Sequence, residues 1–207
     1  MKQKSTSFRF KKADLGIFKS KNVKYVLRDF KKDCRILGLT MGEFSLIDLI
    51  HGILKKTGAA DVVCVTWSAG IKDAHNVKWL KDQDYINSFK LITDHSYKSR
   101  QKKYALSIEE LFGIENIRTS EIHAKFVLIS NEKYKVSVRT SMNLNANKTC
   151  ENFEIDEDES IYIFYKEFVQ FIFKNQDNGF IEESKIVNKN LNLFINNKNT
   201  IQGWSEL

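Results

Sequence analysis

The 207 residues are 42% hydrophobic and 29% charged, with a net charge of +7. That is the balance of a globular domain, not of a disordered or fibrous chain. No apolar run reaches the ~20 residues of a membrane-spanning helix. The charged N-terminus leads into no hydrophobic export segment, so a cytoplasmic protein without stable membrane insertion is expected. Three cysteines (Cys34, Cys64 and Cys150) without a C-x-x-C pair argue against disulfides and a zinc knuckle.

The charge is unevenly placed. Residues 1–35 carry 12 Lys/Arg against 3 Asp/Glu, which leaves 21 against 23 for the rest of the chain. A basic segment of this kind either meets a polyanion or is a solvated arm. The chain divides into a basic arm or helix over 1–35, a main domain over 36–175 and an Asn- and Lys-rich extension over 176–207.

In chain order, Val23, Val26, Leu27 and Phe30 fit a short amphipathic helix or strand. Arg35 to Thr40 reads as a buried strand or turn. Ser45 caps a helix from Leu46 to about Lys56, with one broad apolar face, ended by Thr57-Gly58. His51 inside it reads as a packing or surface imidazole. Asp61 to Trp67 is a β-branched run of the central parallel type. Ser68-Ala69-Gly70 follows at the end where α/β sheets place ligands. A second helix runs from Ile71 to about Asp82, and a second strand from Ile86 to Thr93.

The segment from Asp94 to Tyr104 has two readings. Lys98, Arg100, Lys102 and Lys103 could contact a phosphate backbone, with Tyr97 or Tyr104 stacking on a base; alternatively the segment is the solvated face of a helix running to Phe112. His95 could serve as an acid but belongs to no motif. Gly113 ends that helix, and a short strand from Ile117 follows. Glu151 to Ile155 alternates as an edge strand would. Asp156 to Glu159 reads as an acidic turn opening a helix, whose packing face is Ile161, Phe164, Tyr165, Phe168, Phe171 and Ile172.

Ile122-His123-Ala124-Lys125-Phe126-Val127-Leu128-Ile129 places a histidine and a lysine two residues apart at the head of an apolar run. Read as a strand, it points both side chains the same way. Asn131-Glu132-Lys133 is a turn signal, and Tyr134 to Arg139 returns as the partner strand. That strand ends in Thr140-Ser141-Met142-Asn143, and Glu151 lies downstream. An imidazole nucleophile, a fixed cation and an amide donor on adjacent strand ends could grip a phosphate.

His123-x-Lys125, Ser141-x-Asn143 and Glu151 together resemble the HKD motif of the phospholipase D superfamily, in a single-motif branch common in phage and prophage proteins. Ser130 stands where the motif has Asp, and Thr140 where its Gly-Ser segment has Gly; the spacing between the two halves is longer than usual. The resemblance implies an α/β fold, a phospholipase D-like mixed sheet flanked by helices on both faces. It implies His123 as nucleophile, Lys125 and Asn143 as phosphate holders, Ser141 as a nearby substrate-binding hydroxyl and Glu151 as the carboxylate that orients the histidine. It also implies a metal-independent phosphodiesterase without cofactor, and a homodimer, since one motif supplies one histidine. The basic segments favour nucleic acid, DNA or RNA, as substrate. The alternatives are a nucleic-acid-binding protein that has lost turnover and a phospholipase. His51, His75, His95 and His123 lack metal-ligand spacing.

Overall fold

The computed structural model describes residues 13–18, 22–145 and 148–181. The expected N-terminal segment Met1–Lys12 and most of the extension, 182–207, lie outside the described residues. Eight strands form one mixed sheet in the order β1-β2-β8-β7-β6-β3-β4-β5. Its elements are β1 (Asp14–Phe18), β2 (Arg35–Thr40), α1 (Leu46–Thr57), β3 (Ala60–Thr66), α2 (Ile71–Asp82), β4 (Ile86–Asp94), α3 (Tyr97–Arg100), α4 (Lys102–Phe112), β5 (Ile117–Ser120), β6 (Phe126–Ser130), β7 (Lys135–Thr140), β8 (Glu151–Glu157) and α5 (Glu159–Asn175).

The α1 boundaries follow from local chemistry. Ser45 and Asp48 form a reciprocal capping box, and Gly58 leaves the helix at φ +82°, a left-handed conformation that favours glycine. Leu49, Ile50, Ile53 and Leu54 have no exposed surface; each such burial contributes ~1.5–3 kcal/mol. The crossovers through α2 and α4 make β3, β4 and β5 parallel, as connections of that length allow. The turn at Asn131 makes β6 and β7 an antiparallel hairpin: Asn131 Oδ1 accepts from the backbone of Lys133 and Tyr134.

Helices cover both faces. One core cluster unites β2, β3, β4 and β7 with α1, α2 and α4. The other packs Val65, Ile92, Phe126 and Leu128 against Tyr162, Val169 and Ile172 of α5. Among the described residues, no helix is long and apolar enough to cross a membrane.

Five local expectations are corrected. Residues 23–29 form hydrogen-bonded turns, not a helix or strand, although Val23, Val26, Leu27 and Phe30 are buried as their spacing demands. β8 is no edge strand: it pairs with β7 on one side and β2 on the other. Asp156 and Glu157 belong to it, buried, and only Asp158 opens α5, accepting from the N–H groups of Ser160 and Ile161. On α5 the expected Tyr165, Phe168, Phe171 and Ile172 do pack on the second core cluster, joined by Tyr162 and Val169, but Phe164 is 64% exposed. The stretch expected as an arm supplies an edge strand, β1, and part of the core.

Candidate active site

The strand directions decide where chemistry can gather. β1 to β5 and β7 all point one way, while β6 and β8 run against them. The C-terminal ends of β3, β4, β5 and β7 therefore share one rim of the sheet with the starts of β6 and β8. That rim carries Trp67, His95, His123, Lys125, Ser141, Asn143 and Glu151.

His123 and Lys125 are not on a strand. Residues 121–125 form a connection between β5 and β6, because the Ile122 N–H is directed to the Asp94 carboxylate (3.4 Å) and not into the ladder. Regular pairing resumes next to β6, where the Thr140 N–H donates to the Lys125 carbonyl at 3.1 Å. Lys125 Nζ folds back on this connection and donates to the His123 backbone carbonyl at 2.9 Å. An ammonium has three donors, so this bond leaves two for a ligand. Burial lowers the Lys125 pKa from its ordinary value, and the negative charge of Glu151 opposes that shift.

The second half of the site is built on the β7–β8 connection. Ser141 Oγ donates a short hydrogen bond to Glu151 and accepts from the Asn152 N–H at 3.0 Å, while Thr149 donates to the other Glu151 oxygen at 3.2 Å. Asn143 Oδ1 lies 3.2 Å from Thr66 Oγ1, which shares its proton with the Ser68 carbonyl at 2.9 Å, and the amide nitrogen is the donating end. Thr66 Oγ1 also accepts from the Leu144 N–H, so the end of β3 fixes the loop that carries Asn143.

Trp67 was not anticipated as a site residue. Its ring centroid lies 5.8 Å from that of His123, and the Arg100 guanidinium sits 3.8 Å from the Trp67 centroid. Arg100 also donates to the Trp67 carbonyl at 3.2 Å and to Ser96 Oγ at 3.0 Å. The stack and the two hydrogen bonds hold the guanidinium in place. The available signal was its place at the end of a central parallel strand. The other basic candidates diverge. Lys98 donates to the Phe180 carbonyl at 3.1 Å. Lys102 and Lys103 are exposed on the first turn of α4 and join the cluster through no described contact. Tyr97 cannot stack on a base: it is fully buried, its hydroxyl donates to the Ala69 carbonyl at 2.7 Å, and burial pushes its pKa up to about 12. His95 lies 3.5 Å from Asp94 at the same rim, whereas His51 packs edge-on between Trp79 and Tyr85.

Both departures from the resembled motif have a structural place. Ser130 ends β6 at the opposite rim, roughly 15 Å from Lys125 at ~3.3 Å per residue, and its hydroxyl accepts from Tyr162 of α5 at 2.7 Å. Thr140 donates to the Asn152 carbonyl at 2.6 Å and accepts from the Met142 N–H at 3.0 Å, which shapes the Ser141–Asn143 turn. Among the described residues, no three His, Cys, Asp or Glu side chains gather as a metal site would.

The mixed eight-stranded sheet with helices on both faces is a phospholipase D-like fold. Nuc from Salmonella typhimurium, a phospholipase D family member, is similar with a TM-score of 0.51 and 13% identity over 70% of this chain and 96% of that one. NucT from Helicobacter pylori is similar with a TM-score of 0.50 and 14% identity over 70% of this chain and 99% of that one. Compared by sequence, the chain matches no family model and no curated protein.

Proposed function

We propose that the protein is a metal-independent phosphodiesterase acting on nucleic acid, with His123 as nucleophile in a site completed by a second copy of the chain. The observation that carries this reading is the convergence of His123, Lys125, Ser141, Asn143 and Glu151 on one rim, with Arg100 held beside them. In this scheme Lys125 and the Asn143 amide neutralise the non-bridging oxygens of the scissile phosphate, and Arg100 holds a neighbouring phosphate of the same strand. A His123 ring nitrogen attacks phosphorus, the P–O bond to the leaving strand breaks, and the departing oxygen takes a proton from the second copy's histidine. Water then cleaves the phosphohistidine and restores the imidazole. Glu151 sets the charge and position of the site through Ser141 and Lys125.

The test is cleavage of plasmid and oligonucleotide substrates in EDTA. Wild-type protein is expected to cut and to form an acid-labile phosphohistidine. His123→Ala is expected to lose at least about 10³-fold of the rate, and light scattering is expected to give a dimer. Absence of cutting of any nucleic acid, with salt-dependent binding intact, would favour a binding protein without turnover. The bond from Tyr162 to Ser130 is the observation that leaves room for that second reading, since it assigns the motif's Asp position to helix packing.

A further inference from the structure

A second feature touches His123. A groove of about 320 Å³ runs from the connection between β5 and β6 to the outer side of α5, and His123 itself forms part of its wall. That volume is at the small end of ligand pockets, ~300–1,000 Å³. Ile122, Ala124 and Phe126 line one side, and Phe164, Tyr165 and Phe168 the other. The Tyr165 ring packs on Phe126 with centroids 4.6 Å apart, and Phe164 stands edge-on to Tyr165 at 5.2 Å. Tyr165 is therefore held by the core, while Phe164 is 64% exposed. An aromatic of that exposure next to a polar reaction centre contributes little to the core; burying it later would favour a ligand.

We infer that this groove is a base-binding subsite, in which one nucleobase flanking the scissile phosphate stacks on Phe164 with Tyr165 against its edge, and that the substrate is consequently single-stranded. The inference rests on the phosphodiesterase reading for the identity of the scissile group. Its own argument is geometric and electrostatic. An occupant of the groove adjoins the nucleophile, so it is joined to the phosphate by a short spacer, and a single sugar has that length. Arg100, fixed on Trp67 beside the same histidine, offers a second cation to a neighbouring phosphate. A phosphate at the histidine, another anion at Arg100 and a flat group against the exposed Phe164 ring, with the Glu121 carboxylate at the groove wall as an acceptor, describe a polynucleotide with an unstacked base. A duplex keeps its bases in the helical stack and cannot place one in the groove without flipping it out. A phosphodiester lipid would fill the groove with an acyl chain but leave the Trp67-held guanidinium unused.

The experiment compares wild-type protein with Phe164→Ala and Phe164→Trp, using an oligonucleotide with 2-aminopurine beside the cleavage point, its duplex, and phosphatidylglycerol vesicles. Phe164 is exposed, so the variants are expected to fold, and circular dichroism checks this. Wild-type protein is expected to quench 2-aminopurine and to bind the single strand more tightly than the duplex. Phe164→Ala is expected to weaken single-strand binding by roughly 5- to 140-fold, from the ~1–3 kcal/mol of one base–aromatic stack. It is expected to abolish the quenching with little effect on the duplex, and Phe164→Trp is expected to restore both. Equal loss for strand and duplex, or no loss for either, overturns the inference. So does loss confined to the vesicles, which assigns the groove to an acyl chain, or a shift from dimer to monomer with unchanged quenching, which assigns it to a subunit contact. Because quenching is read without turnover, a protein that binds in this way but never cuts would refute the phosphodiesterase reading and leave the subsite standing.

Discussion

Asp156 offers the sharpest test of how the fold supports the rim. Its side chain has no exposed surface, and it bridges Arg35 on β2 and Arg139 on β7, at 2.5 Å to each. Glu154 joins the cluster at 2.6 Å from Arg139 and 3.6 Å from Arg35. Burial works against the Arg139 guanidinium, but Glu154 and Asp156 outweigh it and raise its pKa. Asp156→Asn keeps the shape and removes the charge, leaving two half-buried guanidinium groups to share Glu154. Breaking a buried ion pair costs ~3–5 kcal/mol. The arginine side chains are 23% and 33% exposed, so water relieves part of that cost and the expected loss is about 3 kcal/mol. For a domain of this size ~2–4 °C accompanies each kcal/mol, giving a Tm lower by about 6–12 °C. Urea unfolding followed by circular dichroism measures the free energy directly. The exposed Arg28–Asp29 pair is the control, since Asp29→Ala should change stability by less than about 1 kcal/mol. A loss below about 1 kcal/mol for Asp156→Asn would refute the idea that this cluster ties β2, β8 and β7 together beneath the site.

Three further outcomes follow from the rim itself. Glu151→Gln removes the charge that holds the Lys125 pKa up against burial, so that pKa falls further and the alkaline limb of the kcat/KM profile moves to lower pH; an unmoved limb refutes the coupling. Arg100→Ala should reduce the slope of log Kd against log salt by about 1, as expected for one lost phosphate contact, measured by anisotropy with a labelled oligonucleotide. Trp67→Ala leaves the charge of Arg100 but removes its stack, and should raise KM by roughly 2- to 10-fold with a smaller change in slope.

Much of the architecture was legible because local chemistry and tertiary structure agree. The capping box at Ser45, the β-branched run of β3 and the glycines at 58 and 113 specify their elements without outside help, and the observed ends fall within a residue or two of those expected. The misses occur where a long-range partner overrides the local pattern. Asp156 and Glu157 look like a solvated acidic turn because their arginine and lysine partners, Arg35 and Lys32, lie more than a hundred positions away. β8 alternates like an edge strand because one of its faces carries the charged cluster, not because one of its edges is open.

The site divides in the same way. The residue types proposed to meet the phosphate stand in the sequence as His123-x-Lys125 and Ser141-x-Asn143, and the fold brings these short segments to one rim. How they are held was not visible. The connection carrying His123 is anchored by Asp94, Asn143 is oriented by Thr66, and Arg100 is fixed by Trp67. Each anchor comes from the end of β3 or β4, tens of residues earlier in the chain. The parallel strands thus do for this rim what the motif cannot do by itself: they supply the rigid partners that fix polar side chains from three separate segments in one place. On this view the replacements at Ser130 and Thr140 are tolerable because neither disturbs an anchor. Changes at Thr66, Trp67 or Asp94 should be more damaging than changes at either departed motif position.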